Sequence, residues 1–340
     1  MDKILLEKLC NANGISGDEC RVRDIVISEI QNSGAEYSVD NMGNLLVFKK
    51  GKQTPSRKLL ISAHLDEVGF IVTNITADGY IKFNQVGGID RRVILGKSVI
   101  INNSVNGVVT AAPMHLLSGD QRESIPKTDN MYIDIGAVNK QEAEKYVSLG
   151  DSINFVSDFS WQDKTITGKA LDDRAGCAIL IDMINSQLEY DTYFSFVVQE
   201  EVGLRGARCA SYTIKPDFAI VVETTTAADI PNVSPEKTVC QVGNGAVISF
   251  MDKATIYDKE LVAETLKCGN DTVKVQLKQA VAGGNDAGAI HSSRGGVRTL
   301  AVSLPCRYLH SSCGLISSDD LYSAQSVITE MSNKILGNQI

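Results

Sequence analysis

No CxxC pair occurs among the eight cysteines (Cys10, Cys20, Cys177, Cys209, Cys240, Cys268, Cys306 and Cys313), which lie scattered along 340 residues. This spacing excludes a zinc ribbon and a disulfide scaffold, and leaves reduced thiols, several of them buried, in a cytoplasmic protein. No apolar run approaches the length needed to cross a bilayer, so no membrane partner is expected. The opening MDKILLEKLCNANG has neither a long apolar core nor a small-residue cleavage site, and does not read as a signal peptide. Positive charge is also scarce: 33 Lys and Arg stand against 41 Asp and Glu, a net charge of -8, with no basic stripe. Nucleic-acid binding is thereby excluded. Gly283 and Gly284 lack the spacing and lysine of a phosphate loop and read as a turn. No internal repeat or low-complexity tract is apparent.

What is present belongs to an ordinary globular chain, 43% hydrophobic and 22% charged. Its length exceeds the usual single domain, which favours one large α/β domain carrying a smaller one. Residues 3–11 read as a helix capped by Asp2. A second helix is expected from Ser16, where Ser16 and Glu19 form an S-x-x-E capping pattern and Val22, Ile25, Val26 and Ile30 recur at helical spacing up to Gly34. Tyr37–Val39 and Leu45–Phe48 read as a hairpin, and KLLISAHLDEVGF as a buried strand ending at His64 and Asp66. From about Phe70 to Phe159, short β-rich runs alternate with Gly, Asp and Asn, the pattern of a small barrel or sandwich. Strand and helix then alternate again from Lys164: a helix around Cys177–Ile184, the strand in FSFVVQEEVGLRG (194–206), a helix near Ala207, and a strand Phe218–Val222 ending at Glu223. Strands at 273–277 and 297–302 flank a helix near Ala287, and Ser318–Leu336 closes the chain as an amphipathic helix. The expected fold class is therefore α/β: a mixed, largely parallel sheet with helices on both faces, formed by residues 1–68 and 161–340, with a β-rich insertion at 69–160.

Five side chains with metal-ligating chemistry fall at strand ends or in the loops after them: His64, Asp172, Glu201, Glu223 and His310. The carboxyl ends of strands in an open α/β sheet face a common crevice, so such residues can converge across long sequence distances. His64 and Asp66, two apart on an extended segment, project to one side, and the carboxylate can accept the ring proton and orient the imidazole. A lone HxD more often marks a hydrogen-bonded histidine at a strand end. Asp172 and Asp173 both suit a helix N-terminus, and either one could serve as a bridging carboxylate. The adjacent pair Glu200 and Glu201, taken alone, also fits a solvated strand end.

Together, AHLDEVGF (63–70), GKALDDRAG (168–176), QEEVGLRGA (199–207), PDFAIVVETTTAADIP (216–231) and YLHSS (308–312) resemble, in order and spacing, the M42 family of co-catalytic metallo-aminopeptidases. The resemblance covers nearly the whole chain. It implies a zinc-peptidase-like catalytic domain with a PDZ-like inserted dimerisation domain, dimers assembling to a dodecamer, and a cytoplasmic location. It further implies two divalent cations, Zn²⁺, Co²⁺ or Mn²⁺: one held by His64 and Glu223, the other by Glu201 and His310, with Asp172 bridging, Asp66 supporting His64 and Glu200 as general base. Paired cations acidify a shared water and polarise a scissile carbonyl, and a carboxylate next to a ligand is placed to take the proton.

Three positions depart from the family pattern: Glu223 where Asp is frequent, Asn285 before Asp286 where Thr is common, and Gly314 where an acid often follows the last histidine. His115 and His291 read as structural or substrate-adjacent. The leading expectation is hydrolysis of amino-terminal residues from short peptides. One rival is a glycoside hydrolase, which needs two carboxyls about 5 to 9 Å apart flanking the bond, a poor match for neighbouring acids. The other is a non-catalytic assembly protein on the same fold. Preference for an acidic first residue would need a basic group in the pocket, for which Arg294, Arg298 and Arg307 are the sequence's candidates.

Overall fold

The structure is a computed structural model describing residues 2–340. The hairpin forms as β1 (Glu36–Val39) and β2 (Leu45–Lys49), and the apolar run LLISAH forms β3 (Leu59–His64), buried at every position. Continuous burial of this kind belongs to a strand covered on both faces. Next come β4 (Gly69–Ile75), β5 (Ile81–Val86), β6 (Ser98–Ile101), β7 (Val105–Ala111), β8 (Met131–Asp134) and β9 (Ser152–Phe155), which close into a barrel in the order β4-β5-β8-β7-β6-β9. Phe70, Phe83 and Phe155 pack edge to face at its centre.

The remaining strands are β10 (Ser160–Gln162), β11 (Thr165–Gly168), β12 (Thr192–Val197), β13 (Phe218–Thr226), β14 (Ala246–Ile248), β15 (Val275–Leu277), β16 (Arg298–Cys306) and β17 (Gly314–Ser317). An eight-stranded sheet runs β1-β2-β12-β3-β13-β16-β14-β15. Its central four strands, β12-β3-β13-β16, are parallel, while β2 and β14 join them antiparallel. The sheet is thus mixed with a parallel core, as expected. A separate small sheet, β10-β11-β17, was not foreseen, because strands of three or four residues carry too little periodicity to be read.

Helices cover both faces. The first two are α1 (Lys3–Asn11) and α2 (Cys20–Ile30); α3 (Gly119–Arg122) and α4 (Lys140–Ala143) are single turns within the barrel connections. Then follow α5 (Leu171–Asn185), α6 (Arg205–Ile214), α7 (Lys259–Leu266), α8 (Ala287–Ile290) and α9 (Ser318–Leu336). Leu59, Ile61 and Ala63 join the cluster formed with α1, α2, α5 and α9, whereas Leu60 joins the opposite one with Ala207, Ala210 and Ile290. The period-two alternation of a strand thereby feeds two cores. All eight cysteines are free, five of them buried. Among the described residues no helix is long and apolar enough to cross a membrane.

Two expectations need correction. The second helix begins at Cys20, not Ser16, and no side chain caps it. β13 continues through Glu223 to Thr226, so Glu223 lies inside the strand, opposite Ser303 of β16. The expected helix near Ala287 is present as four residues, Ala287–Ile290.

Candidate active site

The β3–β13 ladder ends at Ser62 opposite Val221, and His64 and Glu223 each lie two residues beyond that pair. Equal offset on parallel strands puts both side chains on one face, and His64 Nε2 comes within 3.4 Å of Glu223 Oε1. Leu65 N bonds to the Val197 carbonyl at the end of β12, which brings the following Gln199–Glu201 segment alongside. Asp66 completes the junction: its carboxylate accepts from Glu200 N (3.0 Å), Glu201 N (3.1 Å) and the Ser16 hydroxyl (2.6 Å). Its nearer oxygen is 3.6 Å from His64 Nδ1, whereas its backbone carbonyl is 3.0 Å away and takes the ring proton. Asp66 therefore positions the glutamate pair through its carboxylate and His64 through its carbonyl.

The neighbouring acids at the start of α5 have divided roles. Both have non-helical backbone angles. Asp173 turns inward and accepts from Gly176 N (3.0 Å), the position of a helix cap. A Cβ at 176 would stand 2.4 Å from those oxygens, so glycine is required there. Asp172 is left to face the histidines. Its Oδ1 lies 3.3 Å from His64 Nε2 and its Oδ2 lies 3.2 Å from His310 Nε2, while His310 Nε2 is also 3.3 Å from Glu201 Oε2. His310 Nδ1 is 2.9 Å from the Gly88 carbonyl, which lies between two barrel strands. All five candidate ligands and Glu200 thus belong to overlapping groups of ligand atoms within 4.8 Å of one another.

Strain surrounds this cluster. Ala170 (φ 53°), Gln199 (φ 58°), Tyr308 (φ 60°) and His310 (φ 55°) are non-glycine residues in the left-handed region, a conformation costing about 1–3 kcal/mol each that persists where surrounding contacts enforce it. One such contact set lies just behind. Lys169 Nζ bonds both Glu67 oxygens (2.7 and 2.9 Å), and the buried Arg174 donates to the carbonyls of Leu65, Leu9, Ala12 and Gly14.

Electrostatics mark the same place. Burial, reinforced by repulsion from Asp172, pushes Glu201 up to about 8; burial, with the negative charges of Glu223, Asp286 and Glu201, holds Glu200 well above the usual carboxylate range. Glu223 is raised in the same way. Burial opposes charge on His310, but hydrogen bonding to Asp172 and the charge of Glu201 win and raise it to about 9. Crowded carboxylates short of positive charge, beside two imidazoles whose Nδ1 atoms face carbonyls and whose Nε2 atoms face the cluster, could hold a metal ion.

Other residues were not legible as parts of the site. Ser16 and Glu19, the apparent capping box, serve it instead: Ser16 holds Asp66, and Glu19 accepts from Gln199 N. Asp286 is buried with neither carboxylate oxygen hydrogen-bonded. Lys278 lines the cleft beside Glu200 and Glu223. His115 and His291 stay outside the cluster; His291 bonds to the Ala287 carbonyl. Arg298 pairs with Asp258 and Glu260, Arg307 with Asp229, and Arg294 stacks on Tyr212. Asn285 bonds Tyr257, and Gly314 opens β17, where a Cβ would meet Cys306 Sγ at 3.1 Å.

Known proteins similar to this chain are named aminopeptidases. The chain is 39% identical over 331 residues to a protein of Acetivibrio thermocellus named provisionally as an aminopeptidase, covering 96% of this chain and 97% of that one. It is 29% identical to a lysyl aminopeptidase of Pyrococcus furiosus, with 94% of each covered. Among solved structures, a TET aminopeptidase from a marine-sediment Thaumarchaeota archaeon superposes with TM-score 0.92 at 34% identity, covering 96% and 94% of the two chains. A TET peptidase from Pyrococcus horikoshii, described as assembling into a tetrahedron or a large octahedral shell, gives 0.84 at 34% identity, covering 96% and 97%. Residues 43–327 match the family described as M42 glutamyl aminopeptidase, and the chain belongs to that M42 peptidase family.

Proposed function

We propose that this peptide hydrolase removes amino-terminal residues from short peptides, using two divalent cations and Glu200 as the proton-transferring group. The observation that carries the reading is Asp172, which turns one oxygen to each histidine, at 3.3 and 3.2 Å. On this reading His64 and Glu223 would hold one cation and Glu201 and His310 the other, with Asp172 the carboxylate shared between them. The cations, when bound, supply Lewis acidity toward water and the scissile carbonyl. The chain supplies the rest. Glu200 adjoins a ligand without being assigned as one, and its backbone is fixed through Asp66. On this reading it takes a proton from water and delivers it to the leaving amine. The acidic end of the cleft would receive the substrate's free amine, which restricts cutting to the first bond.

A glycosidase reading is disfavoured, because adjacent acids on one strand end cannot flank a bond from opposite sides. For assembly, residues 69–160 are proposed as the dimer-forming unit on the catalytic body 1–68 and 161–340, with dimers building a dodecamer. Met114, Leu116, Val138 and Leu149 are exposed apolar side chains on that unit. The cytoplasm is the proposed location.

The test is a panel of aminoacyl p-nitroanilides, run on metal-stripped protein and after adding Zn²⁺, Co²⁺ or Mn²⁺, beside Glu200→Gln. Turnover should return only with metal and fail in the variant. Intact peptides with every metal, alongside cleaved cello-oligosaccharides, would overturn the reading.

A further inference from the structure

We infer that Glu19 is a positioning residue for Glu200, holding the backbone that carries the proton-transferring side chain, an inference that rests on the role proposed above for Glu200. β12 ends at Val197, and the four backbone amides that follow are all taken by side chains. Val198 N donates to Asn44 Oδ1 (2.9 Å) and Gln199 N to Glu19 Oε1 (3.1 Å). Glu200 N and Glu201 N donate to the two oxygens of Asp66 (3.0 and 3.1 Å). Three residues distant in sequence thus replace the sheet partner that these amides lose where the strand stops. Amides away from bulk water rarely go unpaired, so each acceptor fixes where its amide can lie.

Of the three acceptors, Glu19 holds the strained point. Gln199 has φ 58°, in the left-handed region, a costly conformation for a residue with a side chain that persists only where its surroundings enforce it. The amide that Glu19 takes belongs to this residue, and the chain passes from it directly into Glu200. Glu19 is 6% exposed, and the same Oε1 accepts from Gly17 N at 2.7 Å, which pins the oxygen to its own turn. That turn also secures the next acceptor, since the Ser16 hydroxyl donates to Asp66 Oδ2 at 2.6 Å.

The far side of the segment is closed as well. Gly206 N bonds the Val198 carbonyl, Arg205 N bonds the Gln199 carbonyl, and Asn44 Nδ2 bonds the Gly206 carbonyl. A Cβ at 206 would stand 2.3 Å from Asn44 Oδ1, so the loop closes only around glycine. Loss of the Glu19 oxygen would free the Gln199 peptide to rotate while both of its ends stay tied, and the rotation would be passed on to Glu200. Among the described residues Glu19 belongs to none of the groups of ligand atoms, so it acts on the reaction only through the backbone it holds.

Three variants separate the position of the oxygen from its charge. Glu19→Gln keeps an acceptor oxygen at the same reach, Glu19→Asp keeps the charge but draws the oxygen back by a methylene, and Glu19→Ala removes it. On an aminoacyl p-nitroanilide with metal added, kcat should fall by about tenfold or more in the Ala and Asp variants with KM changed by less than about twofold, and Glu19→Gln should stay within about threefold of the wild type. A merely structural residue would lower the melting temperature and leave kcat per folded chain unchanged. Hydrogen–deuterium exchange of the peptide over 198–204 gives a readout without turnover, and should be faster in the Ala and Asp variants than in the wild type and Glu19→Gln. An unchanged kcat in Glu19→Ala, a Gln variant as impaired as the Ala variant, or unchanged exchange overturns the inference. If the Ala variant does not fold, the Asp and Gln pair decides. If the wild type cuts no aminoacyl substrate, or Glu200→Gln stays fully active, the reading of Glu200 fails, and the exchange rates still decide whether Glu19 holds the segment.

Discussion

His64 and His310 face the same carboxylate from opposite sides, in very different surroundings. The His64 side chain is 1% exposed at the end of a fully buried strand, whereas that of His310 is 34% exposed on a loop in the left-handed region, steadied by a carbonyl from the barrel. The first half of the site is an extension of the parallel sheet; the second depends on loops and on the inserted unit. One half is therefore as rigid as the core, and the other is where motion or assembly can act on chemistry. Local stability follows buried packing in this way, with functional loops drawn from its weaker end.

Changes ordered by expected size test that contrast. The largest effect should come from Glu200→Gln, where loss of proton transfer lowers kcat by about 10² to 10⁴ while the cation count of both halves stays the same, as read by steady-state kinetics and metal analysis. Next is Glu67→Ala, which would strand Lys169 and Arg174 beneath the rigid half. Removing one member of such a buried ionic group costs about 3–5 kcal/mol, measurable by urea unfolding. An effect below 1 kcal/mol would show that this network does not support the His64 half.

A third test compares His64→Ala with His310→Ala. Removing the buried ring should lower the melting temperature of stripped protein more than removing the exposed one, because a core cavity adds to the lost contacts. Equal shifts would erase the distinction between the halves. Smaller again is Ser16→Ala, which removes one hydrogen bond to Asp66 and should cost about 1 kcal/mol in a denaturant titration.

The smallest effect lies far from both halves and serves as a control. Asp258 is held below the ordinary carboxylate range by hydrogen bonds from Arg298. A depressed acid contributes stability above its unfolded pKa and loses that contribution as pH falls through the folded value. Asp258→Asn should thus cost about 1 kcal/mol or less at neutral pH and progressively less below pH of about 4, followed by thermal melts across pH.

Much of this arrangement is legible in the sequence, where His64, Glu201 and Glu223 follow apolar runs and Asp172 and His310 lie in motifs beyond strands. His64 and Glu200–Glu201 read clearly because strands buried on both faces announce their ends with the first charges. What stayed hidden depends on distant partners. Ser16 and Glu19 match a capping box, yet their oxygens turn to Asp66 and Gln199 N, and local pattern cannot show such a long-range competitor. Asp172 and Asp173 are equivalent in sequence, and only the Gly176 amide separates them by engaging the second. Glu223 looked like a terminus because the threonines after it are polar, although β16 keeps pairing with them.

The central claim is that Asp172 joins a buried and an exposed half into one two-cation site. Its most direct test is the number of Zn²⁺ ions retained per chain, by equilibrium dialysis and elemental analysis, in the wild type and in Asp172→Asn. The account predicts two in the wild type and fewer than two in the variant, the loss coming first from the His310 half. A wild type that saturates at one ion, or a variant that still holds two with unchanged affinity, would contradict it.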